Sequence, residues 1–174
     1  MKRFLLFILS GLILLMVSGC SGKDRSAAAD DQKTAADFVR SMGCHIITNE
    51  GETSRYTLDR EMLREYYNMQ LWGVQKEEPE SYLGKEIVTY GFIVSGHPLE
   101  KKYASIYKEN NYDTSVMVML VDGKVIGGGS TPKSKNKLLV LAGGYYALNG
   151  DDLGTVKGLS YAEWLEEWTK KYRQ

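Results

Sequence analysis

Apolar positions along this chain follow three patterns. The first is a continuous run: positions 4–17 read FLLFILSGLILLMV, 14 residues without a charge. The second has a helical period. Ala35, Phe38, Val39 and Met42 recur at i, i+3, i+4, i+7 and predict a helix over about 31–42, stopped at Gly43. Leu58, Met62, Tyr66 and Met69, widened by Leu63 and Tyr67, predict a longer helix over about 58–76 with Thr57 as N-cap. Its Met and aromatic content reads as core packing. Tyr161, Trp164, Leu165, Trp168 and Tyr172 place an aromatic stripe on a C-terminal helix that seals the sheet. Ser160 and Glu163 open that helix as a capping box, and Lys170, Lys171 and Arg173 suit its last turn.

The third pattern has a period of two. Residues 44–48 and 54–57 read as short strands around turn residues Asn49, Glu50 and Gly51. Positions 86–95 are apolar on both faces: Ile87, Thr89, Gly91 and Ile93 on one, Val88, Tyr90, Phe92 and Val94 on the other. That predicts a central strand covered on both sides. Residues 99–114 are polar and Tyr-rich, with room for a short helix. In 115–121, Val116, Val118 and Leu120 face one way, and Met117, Met119 and Val121 the other. Asp122-Gly123 between apolar runs predicts a type I′ hairpin pairing 117–121 with 124–128. Further strands are expected at 137–142 and 145–148, with Gly143-Gly144 as a bulge or tight bend. The sum is an α+β fold: an antiparallel β-sheet packed against N-terminal and C-terminal helices in a single domain.

The apolar run at 4–17 follows Lys2 and Arg3. As a helix it spans about 21 Å, short of the roughly 30 Å hydrocarbon core. A basic start and an apolar run of this length read as a secretory signal peptide. Val17-Ser18-Gly19-Cys20 then resembles a bacterial lipobox, with Val17 in place of the commoner Leu. That resemblance implies diacylglycerol in thioether linkage on Cys20, cleavage before Cys20 and acylation of the new amino terminus. Multiple acyl chains anchor stably where one does not. The expected organisation is a signal peptide at 1–19, lipidated Cys20 with a flexible tether to 31, and one extracytoplasmic domain over 32–174. The chain is then exported and held at the outer face of the bacterial cytoplasmic membrane.

Composition changes meaning once residues 1–19 are set aside. The whole chain balances 22 basic against 22 acidic residues. Loss of Lys2 and Arg3 leaves a side-chain charge of about −2. Such a domain lacks the basic excess of a nucleic-acid binder, and no nucleic-acid partner is expected. With Cys20 lipidated, Cys44 is alone and no internal disulfide forms, so the core must hold the fold.

Candidate chemistry is sparse. The chain has two histidines, His45 and His97. Cys44 and His45 are neighbours on a strand and point to opposite faces, so they form no dyad. His97, between Gly96 and Pro98, reads as a surface turn residue. Ser95 lies two positions away, but there is no G-x-S-x-G elbow. Gly127, Gly128 and Gly129 are flanked by strands rather than opening a helix. They read as a flexible hairpin extension, not a phosphate loop. No metal-ligand spacing stands out. No catalytic residue, metal site or cofactor is expected beyond the diacylglycerol on Cys20.

ADFVRSMG over 36–43, YNMQLWG over 67–73, YLGKEIVTY over 82–90 and VDGKVIGG over 121–128 resemble a family of Gram-positive lipoproteins that share a small domain of unknown function. The resemblance covers roughly 34–130. It implies an exported α+β domain and carries over no catalytic residues. Residues 99–114 look like an insertion in that family's hairpin, and everything after about Gly129 departs from its pattern.

The function expected is a non-catalytic binding or accessory domain for an envelope protein, peptide or ligand, joined to the membrane by its lipid. Two alternatives stand beside it: a cell-envelope hydrolase using His97 or Cys44, and a structural or assembly accessory of a membrane complex. The expected binding surface is Tyr103, Tyr107 and Tyr112 with Lys133 and Lys135, since Tyr gives large contact area at low rotamer cost.

Overall fold

Strand β2 (Glu86–Ser95) is the middle of the molecule, and its two apolar faces explain the layers around it. A computed structural model describes residues 21–135 and 144–172 of the chain. Four strands form one antiparallel sheet in the order β1-β2-β3-β4. The others are β1 (His45–Thr57), β3 (Tyr112–Val121) and β4 (Lys124–Ser134). Val88, Tyr90, Phe92 and Val94 of β2 lie with Val116, Val118 and Leu120 of β3 beneath helix α1 (Ser21–Ser41), which contributes Ala35, Ala36 and Val39. Ile87, Met119 and Val121 face the other way. They meet α2 (Tyr66–Gly73) through Leu71 and Trp72, and α6 (Tyr161–Tyr172) through Trp164, Trp168 and Tyr172. This is the single α+β domain, with β2 covered on both sides, that the alternation predicts.

Asp122 and Gly123 both have positive φ (50° and 72°), as a type I′ turn requires, and Val121 pairs with Lys124 across it. The C-terminal capping box also forms: Ser160 N–H donates to Glu163 Oε2 at 2.8 Å and Glu163 N–H to Ser160 Oγ at 3.3 Å. Trp168 and Tyr172 are buried, and Trp168 Nε1 donates to the Leu63 carbonyl at 2.8 Å.

Four expectations are corrected. The stretch 21–31, read as an irregular tether, is the first half of α1, and Tyr90 Oη donates to the Ala28 carbonyl at 3.1 Å. Residues 44–57 are not a hairpin but one strand with three bulges along β2. The Asn49 side chain bonds Gly51 N–H, so its turn chemistry is spent inside a bulge.

The helix expected over 58–76 is broken. Leu58 is held by backbone bonds to Lys85 and Gly84, so it cannot start a helix. A 3-10 turn at Met62–Arg64 follows, then Glu65 in extended conformation (ψ 135°), then α2. Thr57 is not its cap: Glu61 stands at the N-cap position, and the Asp59 side chain accepts from Met62 N–H at 2.8 Å.

The glycine run is strand, not flexible extension. Gly127, Gly128 and Gly129 are central to β4 because neighbours occupy the space of a Cβ. At Gly128 that neighbour is the Met117 carbonyl; at Gly129 it is Leu71 and Tyr145. The buried Gln75 amide bonds both backbone groups of Gly128, donating at 2.8 Å and accepting at 2.9 Å.

Residues 99–114 hold two short helices, α3 (Pro98–Lys102) and α4 (Ala104–Asn110), before β3 begins. The strand expected at 137–142 lies outside the described residues. Tyr146 makes a single bridge to Ser130 on the free edge of β4, and α5 (Leu153–Lys157) then returns the chain to α6.

Candidate functional site

An open cleft of about 970 Å³ lies between the N-terminal half of α1 and the sheet end at the β3–β4 turn. Val88 and Leu120 line it with Asp30 and Asp31 of α1, Arg55, Glu86, Asp122 and Gly123. Arg55 projects from β1 and is held on both sides. Its Nε and Nη2 donate to the two oxygens of Glu52 at 2.9 and 2.8 Å, and Nη1 to Glu86 at 2.5 Å. The fork to Glu52, helped by Glu86, raises the Arg55 pKa, and the same bond lowers that of Glu52. Asp31 responds oppositely. Burial pushes its carboxyl up, and Asp30, Glu52 and Glu86 add to that against the pull of Arg55.

This cleft is acidic, and its one described cation is already engaged by two carboxylates. No Ser, Cys, His or Lys is among its described lining residues; its ionisable groups are Arg55 and the carboxyls of Asp30, Asp31, Glu86 and Asp122. Among the described residues, no group of three or more His, Cys, Asp or Glu is arranged to hold a metal ion.

The residues expected to form a binding surface differ in exposure. Tyr107 is corrected from exposed contact residue to core: it is 6% exposed, and its hydroxyl lies 3.1 Å from Thr114 Oγ1. Tyr112 is half-buried and packs edge-on against Tyr107. Tyr103 is half-buried against Tyr146. Lys133 reaches across the sheet to Glu50 at 2.7 Å, and Lys135 pairs with Asp113 at 3.1 Å. Both lysines are exposed, but neither is an unpaired cation.

His97 is also corrected. It is 1% exposed rather than on the surface. Nδ1 accepts from Leu99 N–H at 3.2 Å and Nε2 lies 2.8 Å from the Leu148 carbonyl. Both nitrogens are engaged by backbone, which leaves none to serve a serine. Cys44 is buried and its thiol pushed up by that burial, with Glu100 adding to it, while His45 beside it is exposed. That is the separated arrangement expected of strand neighbours, and a buried, raised thiol is a poor nucleophile. Cys20 lies outside the described residues, among which no helix is long and apolar enough to cross a membrane.

Three features lie outside the sequence-based expectations: the Arg55 clamp, the Gln75–Gly128 bonds and an exposed tyrosine group. Tyr66, Tyr67 and Tyr161 are 70, 52 and 47% exposed, and Tyr67 meets Tyr145 edge-on. The i, i+1 placement of Tyr66 and Tyr67 was the available signal, since a helix cannot turn both inward. No family model, curated protein or solved structure matches the chain.

Proposed function

We propose that this chain is a lipid-anchored extracytoplasmic domain, attached through Cys20, that binds or supports an envelope partner without catalysing a reaction. The observation that carries the reading is the position of α1. From Ser21, the first described residue, which follows the lipobox cysteine in sequence, α1 continues into the core without a break. Asp31 lies against Gly123 at the hairpin end of the sheet. The ten residues before it add about 15 Å of helix on that side. The lipid would therefore enter at the hairpin end, with the acidic cleft towards the bilayer and the Ser95–Gly96 turn away from it. The family resemblance over 34–130 agrees with export.

The occupied nitrogens of His97 and the buried Cys44 thiol favour binding over hydrolysis by either group. A partner of the cleft would carry positive charge, since the free groups there are carboxylates.

Metabolic labelling with palmitate tests the anchor. The expected result is label and membrane association in the wild type, and loss of both in Cys20→Ser. A membrane-bound, unlabelled wild type would overturn it. In-cell crosslinking from Asp30 or Asp122 then separates the roles. One stoichiometric membrane protein marks an assembly accessory, and a soluble peptide or ligand marks a binding domain.

A further inference from the structure

The buried His97 joins three pieces of chain: the end of β2, the start of α3 and the return segment 144–150. Because Nδ1 accepts from Leu99 N–H, the ring proton sits on Nε2, which donates to the Leu148 carbonyl. Only the neutral ring makes that pair of bonds. A proton on Nδ1 sets N–H against N–H at Leu99, and the resulting buried cation needs water.

The segment held by this ring covers the free edge of β4. Ser130 N–H donates to the Tyr146 carbonyl at 2.8 Å, Tyr146 N–H to the Ser130 carbonyl at 3.0 Å, and Ser130 Oγ to the Ala147 carbonyl at 2.9 Å. Gly150, with φ 84°, sits close to Pro98 and Leu99. α3 follows His97 directly and is anchored by buried Leu99. The return segment reaches the ring from beyond β4, so it is the cover that yields.

Titratable groups surround the junction. Glu100 of α3 accepts from the Gly96 and His97 amides and from Thr114 of β3. Tyr107 of α4 lies against Thr114. Cys44, just before β1, is within the field of Glu100, and His45 of β1 is beside Gly96. Asp151 and Asp152 follow Gly150, and Asp152 pairs with Lys102. Burial holds His97 below the usual imidazole range, against the opposing pull of the Leu148 bond and Glu100.

We propose that His97 is an acid-sensitive clasp, whose protonation frees the 144–150 segment and uncovers the outer edge of β4. The open form takes up a proton near the ordinary imidazole value of about 6.5, while the closed form resists it. The clasp is therefore at full strength above about pH 6.5 and weakens up to about tenfold per unit below it, until the closed ring itself titrates.

Hydrogen exchange on the full-length protein in detergent micelles, corrected for intrinsic rates, tests this between pH 7.5 and 5.5. The Tyr146, Ser130 and Leu99 amides should lose protection by about tenfold over this range, about fivefold of it in the last unit, while those of 88–94 in β2 hold. His45→Gln should respond as wild type. His97→Asn, which keeps an N-cap oxygen but cannot titrate, should give a low and pH-independent Tyr146 protection. If that variant does not fold, imidazole ¹⁵N shifts of the wild type replace it. They should report a bare Nδ1 at pH 7.5 and a second proton arriving as protection falls. Unchanged Tyr146 protection across the range would overturn the clasp. So would a ring that stays neutral while protection falls, or a response abolished by His45→Gln.

Discussion

The two edges of the sheet face one hazard and meet it differently. An edge strand offers unpaired backbone groups to any other strand. β1 answers with irregularity. It bulges at three places, is exposed along most of its length, and carries Glu50, Glu52 and Arg55. β4 answers with cover. Gly128 and Gly129 are buried, Gln75 takes both backbone groups of Gly128, and Tyr146 pairs with Ser130 from outside. The same geometry is thus protected by local disorder of the ladder on one side and by tertiary contact on the other. The contrast implies that substitutions in β4 cost far more than comparable ones in β1.

Gly128→Ala should be the most damaging. Its φ of 153° is foreign to an L residue, and a Cβ would meet the Met117 carbonyl. A loss of about 4 kcal/mol is expected from strain and collision together, read as a fall in the urea midpoint. A loss below about 1 kcal/mol would mean that β4 is not tightly packed. Gln75→Leu comes next. It fills similar space but leaves the buried Gly128 N–H and C=O without partners, a loss of about 3 kcal/mol in the same assay. On the other edge, Gly51→Ala should cost only about 1 kcal/mol. Its φ is 77°, but nothing lies within 4 Å of a new Cβ. A Gly51→Ala loss as large as that of Gly128→Ala would erase the distinction between the edges.

The parts legible in the sequence are those decided locally. Asp122-Gly123 needs only its own positive φ values, Ser160 and Glu163 cap each other within one turn, and β2 carries both faces in its own alternation. The parts that misled depend on residues far away. Leu58 cannot begin a helix because Gly84 and Lys85 hold its backbone. The triple glycine is strand because Leu71, Gln75 and Tyr145 occupy the space beside it. Tyr107 looks like a contact residue until Thr114 is placed beneath it. The cleft draws on α1, β1, β2 and the β3–β4 turn, so no single window of sequence contains it.

The bulges of β1 have a consequence in length. Thirteen residues lie along the ten of β2, so the strand holds about 10 Å of chain that its ladder does not use. Removal of Ile47, Glu50 or Thr53 would shorten a bulge and leave the partners on either side in place. β2 and β3 have no such slack. From Val88 opposite Leu120 to Val94 opposite Thr114 every residue has its partner, and one deletion turns each following side chain to the wrong face. The outer strand can change length; the inner pair cannot.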